Sequence, residues 1–210
     1  MNIVKPRKNN KLAKINNILE EIIDEELNNR EIENTNLQEI EIYDVKFETL
    51  RMLNVEIINS KLEKNTFTDI TFENCNFSNT SFENSIFVRC EFKNCKMTGC
   101  NFIEARMYNV SFIETNLNYA NLSTTSMENV LFKNTGLRNS NFQENTLKNI
   151  YFEKADLTQA MITKTSLKNI DLSDSIIEGM AVSIDDIRGA TINQFQVVDL
   201  LYLIGVKIKI

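Results

Sequence analysis

From Ile32 to Ile177, every fifth residue of this chain is apolar, without interruption. All the phenylalanines except Phe195 fall in this register, together with leucines, isoleucines and methionines. An α-helix repeats every 3.6 residues and a strand every two, so neither produces a strict period of five. A fixed period that occupies most of a chain is typical of a solenoid, in which short repeats stack on one another. The sequence therefore predicts an elongated, repetitive structure.

The residues around each apolar position repeat as well. A small or β-branched residue stands two positions before it, and the residue between them is often Asn, Asp, Ser or Thr. Examples are CNFSN (75–79), ANLST (120–124) and ADLTQ (155–159). Over residues 31–180 this pattern resembles the pentapeptide-repeat family, whose consensus is A-(D/N)-(L/F)-X-X. The resemblance implies an all-β, right-handed quadrilateral β-helix, with four pentapeptides in each coil and the first and central positions pointing inward.

A coil of 20 residues can be tested against the sequence, because residues 20 apart should then stack at the roughly 4.8 Å spacing of β-strands. Five phenylalanines at this spacing predict an aromatic stack in the core: Phe72, Phe92, Phe112, Phe132 and Phe152. Two columns of asparagines predict hydrogen-bonded amide ladders. One consists of Asn34, Asn54, Asn74 and Asn94, and the other of Asn109, Asn129, Asn149 and Asn169. Because the register never slips, we expect no projecting loop.

The N-terminal residues 1–30 depart from the repeat and are predicted to cap it, since a stack of coils would otherwise expose an open end. Their apolar residues have helical spacing, which predicts an amphipathic α-helix that begins after Asn9 or Asn10 and ends at Asn28-Asn29. The apolar face of this helix would consist of Leu12, Ile15, Leu19, Ile22, Ile23 and Leu27.

The C-terminal residues 181–210 predict a second capping helix, with Asn193 as N-cap and Gly205 as the stop. Val206–Ile210 alternates like a short strand. Apolar residues cover nearly the whole helix, so one face can cap the last coil while the other still needs burial. A two-fold homodimer is the simplest solution. The predicted interface consists of Phe195, Val198, Leu201, Tyr202, Ile204, Val206 and Ile208.

The same C-terminal segment is similar to that of the quinolone-resistance pentapeptide proteins. The matching elements include Ile187-Arg188-Gly189, Phe195-Gln196, Leu200-Leu201 and Gly205-Val206. The resemblance implies a head-to-head dimer that binds DNA gyrase or topoisomerase IV and modulates fluoroquinolone action. Many members of that class have projecting loops, which the unbroken register excludes here. The alternative is a structural or interaction module with a different protein partner.

The composition indicates a protein without catalytic chemistry. The chain has no His, which removes the commonest general base and the commonest metal ligand. Cys75, Cys90, Cys95 and Cys100 lack the spacing of a zinc site and occupy the inward small-residue position, so we expect buried hydrophobes. We therefore expect no enzyme, no cofactor and no metal.

Charge and hydropathy restrict the partners. The net charge of −6 argues against direct nucleic-acid binding. No apolar stretch is long enough to span a membrane, and the first residues lack a secretory signal, so a cytoplasmic location is expected. The acidic surface leaves two interpretations open: a mimic of DNA, or an ordinary solvated surface with interleaved lysines.

Overall fold

A computed structural model describes residues 3–9 and 11–206 of the chain. From residue 26 onward, strands pair in parallel with a constant offset of 20 residues, so that Phe72 lies beside Phe92 and Phe92 beside Phe112. The first pair differs, because residues 13–15 pair with residues 30–32. The chain is a mostly β solenoid whose coil contains 20 residues, which confirms the fold predicted from the repeat.

The strands belong to one large sheet and three small ones. The large sheet stacks, in spatial order, β1 (Ala13–Ile15), β2 (Glu26–Glu33), β5 (Lys46–Leu53), β8 (Thr66–Glu73), β9 (Ile86–Lys93), β10 (Arg106–Ile113), β11 (Ser126–Lys133) and β12 (Thr146–Glu153). The small sheets pair β3 (Asn36–Gln38) with β6 (Glu56–Ile58), β4 (Glu41–Tyr43) with β7 (Lys61–Glu63), and β13 (Met161–Ile162) with β14 (Ala181–Val182). Isolated parallel bridges continue these faces along the rod.

The core is filled by the inward positions of every pentapeptide. The rings of Phe72, Phe92, Phe112, Phe132 and Phe152 form one column, with neighbouring centroids 4.4–5.2 Å apart and planes within 12° of parallel. All five rings are buried. A second column stacks Phe47, Phe67 and Phe87 at centroid distances of 5.1 and 4.8 Å. Burial of such large apolar side chains along the whole axis supplies the main driving force for folding.

The corners of the coils from Asp24 to Asn169 each place one residue in the left-handed backbone conformation. The value of φ lies between +49° and +65° at these non-glycine corner residues, which recur every five positions from Asp24 to Asn169. Asparagine tolerates this conformation better than most residues do. The asparagine columns therefore have a backbone cause in addition to the side-chain ladders.

The predicted N-terminal helix is wrong. Residues 13–15 form a strand that pairs in parallel with β2, and β2 itself begins at Glu26, inside the predicted helix. Ile15, Ile18 and Leu27 are buried, but Leu19 and Ile23 are exposed. The reason is that the edge of β2 offers backbone groups that a strand can pair with and a helix cannot. The many isoleucines and asparagines here also favour a helix only weakly.

The C-terminal segment is helical but shorter than predicted. After a first short helix, α1 (Ile184–Ile187), the chain forms α2 (Val197–Leu200), which continues as a 3₁₀ turn through Ile204. The Asn193 side chain accepts the N–H groups of Phe195 and Gln196 at 2.8 and 3.2 Å, so it caps the turn before α2. Gly205 ends the segment in the left-handed conformation at φ 72°.

Truncating the central ring of the aromatic column tests the core. Phe112 is fully buried between Phe92 and Phe132. We expect Phe112→Ala to lower the free energy of unfolding by about 3–5 kcal/mol, because it leaves a cavity in a rigid stack. Urea denaturation followed by circular dichroism measures the change. The exposed Tyr119→Ala is the control and should cost well under about 1 kcal/mol; equal losses would contradict the stack's role.

Candidate protein-interaction surfaces

An apolar cluster is exposed at the C-terminal end of the rod. Exposed fractions are 78% for Phe195, 56% for Val198, 50% for Tyr202, 67% for Ile204 and 47% for Val206. Leu200 and Leu203 point the other way and pack against the last coil. Leu201 is half-buried between these two faces. Ile208, also predicted at the interface, lies outside the described residues.

Polar side chains hold this segment on the last coil. Gln196 is buried, and its Nε2 donates to the backbone oxygens of Leu172 and Ser175 at 2.8 and 2.7 Å. The Tyr202 hydroxyl donates to the Met180 oxygen at 2.8 Å. The sequence pattern does not identify Gln196 as an anchor, because this residue belongs to no helical or strand periodicity. The Phe195-Gln196 match to the quinolone-resistance pentapeptide proteins was the only signal that pointed to it. These bonds fix the orientation of the exposed apolar cluster.

The asparagine columns are hydrogen-bonded to different extents. In the first column the Nδ2 of each residue donates to the Oδ1 one coil below, at 3.0, 3.3 and 2.8 Å for the steps from Asn34 to Asn94. In the second column one such bond joins Asn149 to Asn129, at 2.9 Å. Asn109 instead accepts a backbone N–H from Val4. The backbone N–H of Asn169 donates to the backbone oxygen of Gly189.

The first residues of the chain form an extended strap along one corner of the rod. The amide of Val4 donates to Asn109 Oδ1 at 3.2 Å, and Asn9 Nδ2 donates to Asn29 Oδ1 at 2.7 Å. Between them the amide of Arg7 donates to Asp69 Oδ1 at 2.9 Å. Asn29, Asp69 and Asn109 belong to one corner column, so the strap runs along this column past several coils. Nothing in the sequence pattern predicted it.

A buried ion pair anchors this strap. Asp69 is buried and receives two hydrogen bonds from the Arg89 guanidinium, at 2.6 Å from Nε and 2.7 Å from Nη2. Burial acts to raise the pKa of Asp69, but the bonds from Arg89 and from the Arg7 amide outweigh it and hold this pKa below its ordinary value. The carboxylate stays charged at neutral pH. Removing one partner of such a pair leaves the other charge without compensation, which destabilises the fold.

Acidic and basic side chains alternate along the rod. Ion pairs between residues one coil apart have N–O distances of 2.6–3.7 Å. They are Lys46–Glu26, Arg51–Glu31, Lys61–Glu41, Lys93–Glu73, Lys133–Glu153, Lys148–Glu128 and Lys164–Glu144. Many acids thus have a base directly above or below them. Such a surface corresponds to the mixed, solvated interpretation rather than to rows of negative charge.

The cysteines are placed as inward-facing core residues. All four are free and buried. Burial raises the pKa of the Cys90 and Cys100 thiols to about 12, which keeps them protonated and unreactive. Across residues 3–9 and 11–206, no three potential ligands among Cys, Asp and Glu lie close enough to hold a metal ion.

Comparison with known proteins agrees with this architecture. The family model described as "Pentapeptide repeat region" matches residues 65–142 and 85–162. This match identifies residues 65–162 as a pentapeptide-repeat region, in agreement with the unbroken register and the 20-residue coil. No curated protein is significantly similar in sequence.

None of the helices in the described part of the chain is long and apolar enough to cross a membrane.

Several solved structures are similar. Full-length QnrB1, a plasmid-mediated fluoroquinolone resistance protein, is 19% identical over 84% of this chain and 100% of that chain, with a TM-score of 0.45. A trypsin-treated variant of QnrB1 gives a TM-score of 0.47 at 19% identity, over 86% of this chain and 92% of that one. HetL, a pentapeptide repeat protein involved in heterocyst differentiation regulation from the cyanobacterium Nostoc sp. Strain PCC 7120, is 12% identical over 78% of this chain and 87% of that chain, with a TM-score of 0.34.

Neutralising the strap's anchor should release it. We expect Asp69→Asn to leave Arg89 without its carboxylate and to speed tryptic cleavage after Arg7 by about tenfold or more, since breaking a buried pair costs about 3–5 kcal/mol. Mass spectrometry of a limited digest measures the rate. Asp44→Asn, at an exposed corner with the same backbone conformation, is the matched control. Equal cleavage rates in the two variants would show that Asp69 does not anchor the strap.

Lowering the pH should detach the strap in the wild-type chain. The folded pKa of Asp69 lies below its ordinary value of 3.8, so the pair's stabilisation is present above that value and is lost as pH falls through the folded pKa. We expect exchange of the Arg7 amide to be protected at neutral pH and to lose that protection only as the pH falls below the ordinary Asp value of 3.8 and through the lowered folded pKa. Deuterium-exchange mass spectrometry reads this out. Protection that persists in Asp69→Asn would contradict the assignment.

Proposed function

We propose that this chain is a non-enzymatic, protein-binding rod that forms a homodimer through its C-terminal helical segment. The observation that carries the proposal is the exposed apolar cluster around Phe195, Val198 and Ile204. Contiguous exposed apolar residues on a water-soluble surface mark an interaction site. Such a cluster at one end of a rod suits a two-fold, end-to-end contact.

The segment that carries the exposed apolar cluster is held rigidly on the last coil, which favours binding. Gln196 and Tyr202 tie the segment to backbone oxygens of the last coil, and Leu200 and Leu203 pack beneath it. Little conformational entropy is then lost when a second copy covers Phe195 and its neighbours, which favours association.

We infer that the partner of this dimer is a type II topoisomerase, DNA gyrase or topoisomerase IV. The support is the similarity of the C-terminal segment to the quinolone-resistance class. Its key positions have a clear structural basis: Gly189 and Gly205 adopt positive φ values of 84° and 72°, and Gln196 is the buried anchor. A different protein partner is the second candidate, favoured by the ion pairs that interrupt the negative rows a DNA mimic would present.

The dimer is tested by multi-angle light scattering. We expect the wild-type chain to show twice its mass of 24.3 kDa at micromolar concentration. Phe195→Glu should give a monomer without loss of fold, because that side chain is exposed and a charge cannot be buried in the contact. Tyr119→Glu, which alters an exposed aromatic residue in the middle of the rod, should remain dimeric. A wild-type monomer would refute the proposal.

The partner is tested by gyrase supercoiling assays with and without a fluoroquinolone. We expect micromolar wild-type protein to change the supercoiling rate or the drug's effect, and the Phe195→Glu monomer to act more weakly. No effect from a verified dimer would exclude this partner and leave the rod-like dimer standing. A pull-down from native cytosol that returns another protein and no topoisomerase would then favour the second candidate.

A further inference from the structure

Two of the four cysteines stand directly above one another in the core. Cys75 and Cys95 occupy the same inward position of successive coils, and the amide of Lys96 donates to the backbone oxygen of Cys75 at 2.8 Å. Both cysteines are buried, with 2% and 3% of their surface exposed. They are the only two of the four cysteines that are separated by one coil of 20 residues and therefore face the core at neighbouring levels. We call them the thiol pair.

The two sulfurs of the thiol pair have the same orientation. Cys75 Sγ lies 3.4 Å from the backbone oxygen two residues before it and 3.6 Å from the backbone oxygen 23 residues before it. Cys95 Sγ makes the same two contacts, at 3.4 and 3.5 Å. Because the two side chains have equivalent surroundings, shifted by one coil, their sulfurs stack at about the coil spacing, roughly 4.8 Å.

The two thiols also influence each other's ionisation. Interaction with the Cys95 thiol lowers the pKa of Cys75, against the opposing effect of burial. Interaction with Cys75, together with burial, raises the pKa of Cys95. The pair therefore gives up a first proton more readily than a second one.

The spacing of the thiol pair fits a metal ion that takes two sulfur ligands in a line. A metal–sulfur bond of the kind zinc makes is about 2.3 Å long, so an ion between two opposed sulfurs holds them roughly 4.6 Å apart. This separation is close to the coil spacing of about 4.8 Å, and an ion at this position requires little movement of the backbone. Thiolate sulfur is a soft ligand, which binds soft cations such as Cu(I).

The surroundings of the pair disfavour other metals. Zinc in structural sites takes four ligands, and iron–sulfur clusters are also held by four cysteines. The column neighbours of the pair are Val55 below and Thr115 above, so the column supplies no further thiolate. In the described part of the chain no three potential ligands come together. Hard cations would lose their hydration in this apolar core without enough oxygen ligands to replace it.

We propose that Cys75 and Cys95 form a binding site for a soft, two-coordinate monovalent cation of the Cu(I) type. The ion replaces the proton of the Cys75 thiol, which leaves to solvent, and it accepts a lone pair from the Cys95 sulfur, which keeps its own proton. One positive charge then balances one thiolate, so no net charge is buried. The site lies in the middle of the rod and does not depend on the dimer proposed above.

The other two cysteines provide matched single thiols. Cys90 lies between Ile70 and Val110 in its column. The column of Cys100 contains no second cysteine. Both are as deeply buried as the thiol pair, but neither supplies two stacked sulfurs. Binding should therefore require the pair and not merely a buried thiol.

Native mass spectrometry with Ag(I), a redox-stable analogue of Cu(I), tests the proposal. The reduced full-length chain is incubated with Ag(I), and loosely held ions are removed with a weak competing ligand. We expect one Ag(I) per wild-type chain. Cys75→Ser and Cys95→Ser should each weaken binding by more than the 10- to 100-fold, roughly, that loss of an outer-shell partner costs, because a direct ligand is lost. Cys90→Ser and Cys100→Ser should bind like the wild type.

Serine at the two positions of the pair is compatible with the fold. Thr35, Thr115, Thr135 and Ser175 already occupy this inward position in other coils. Circular dichroism of each variant should match that of the wild type, so that loss of the ion reports on the ligands and not on unfolding. A Cu(I) titration against a coloured chelator, under reducing conditions, should show the same dependence on the pair.

Three results would overturn the assignment. The first is a wild-type chain that retains no Ag(I). The second is equal loss of the ion in Cys75→Ser and Cys90→Ser, which would show that any buried thiol takes it up. The third is retention of Zn(II) as firmly as of Ag(I), because a linear pair of sulfurs does not satisfy zinc.

Discussion

Parallel backbone hydrogen bonding between residues 20 apart determines the rest of this structure. It places Phe92 over Phe72 and Asn54 over Asn34, so identical side chains meet at the spacing of neighbouring strands. Aromatic stacks, amide ladders and axial ion pairs are consequences of that one offset. Because each coil depends on the coils beside it, the places where the bonding stops are where the molecule needs partners.

Those places lie at the two ends. At the start of the rod, β1 pairs with β2 and the strap from Val4 to Asn9 follows a corner column, so this end is covered by the chain itself. At the other end, Gln196 fastens a helical segment whose outer face stays exposed. That outer face is where a second copy is proposed to bind.

The sequence allowed most of the coil to be predicted but little of its ends. The step of five and the Phe72–Phe152 column are properties of the repeat, and a periodic sequence displays them directly. The N-terminal isoleucines also had helical spacing, and only the presence of an unpaired β2 edge decides for a strand. The Asp69–Arg89 pair could not be anticipated, because two charged residues one coil apart look like any exposed ion pair.

Two rods are proposed to join end to end through the cluster around Phe195. Small-angle X-ray scattering at micromolar concentration measures this most directly, because it reports both mass and shape. We expect twice the chain mass of 24.3 kDa, a maximum dimension close to twice that of the Phe195→Glu monomer, and an unchanged cross-section. A particle of single-chain mass, or a dimer whose cross-section grows while its length stays that of one rod, would contradict it.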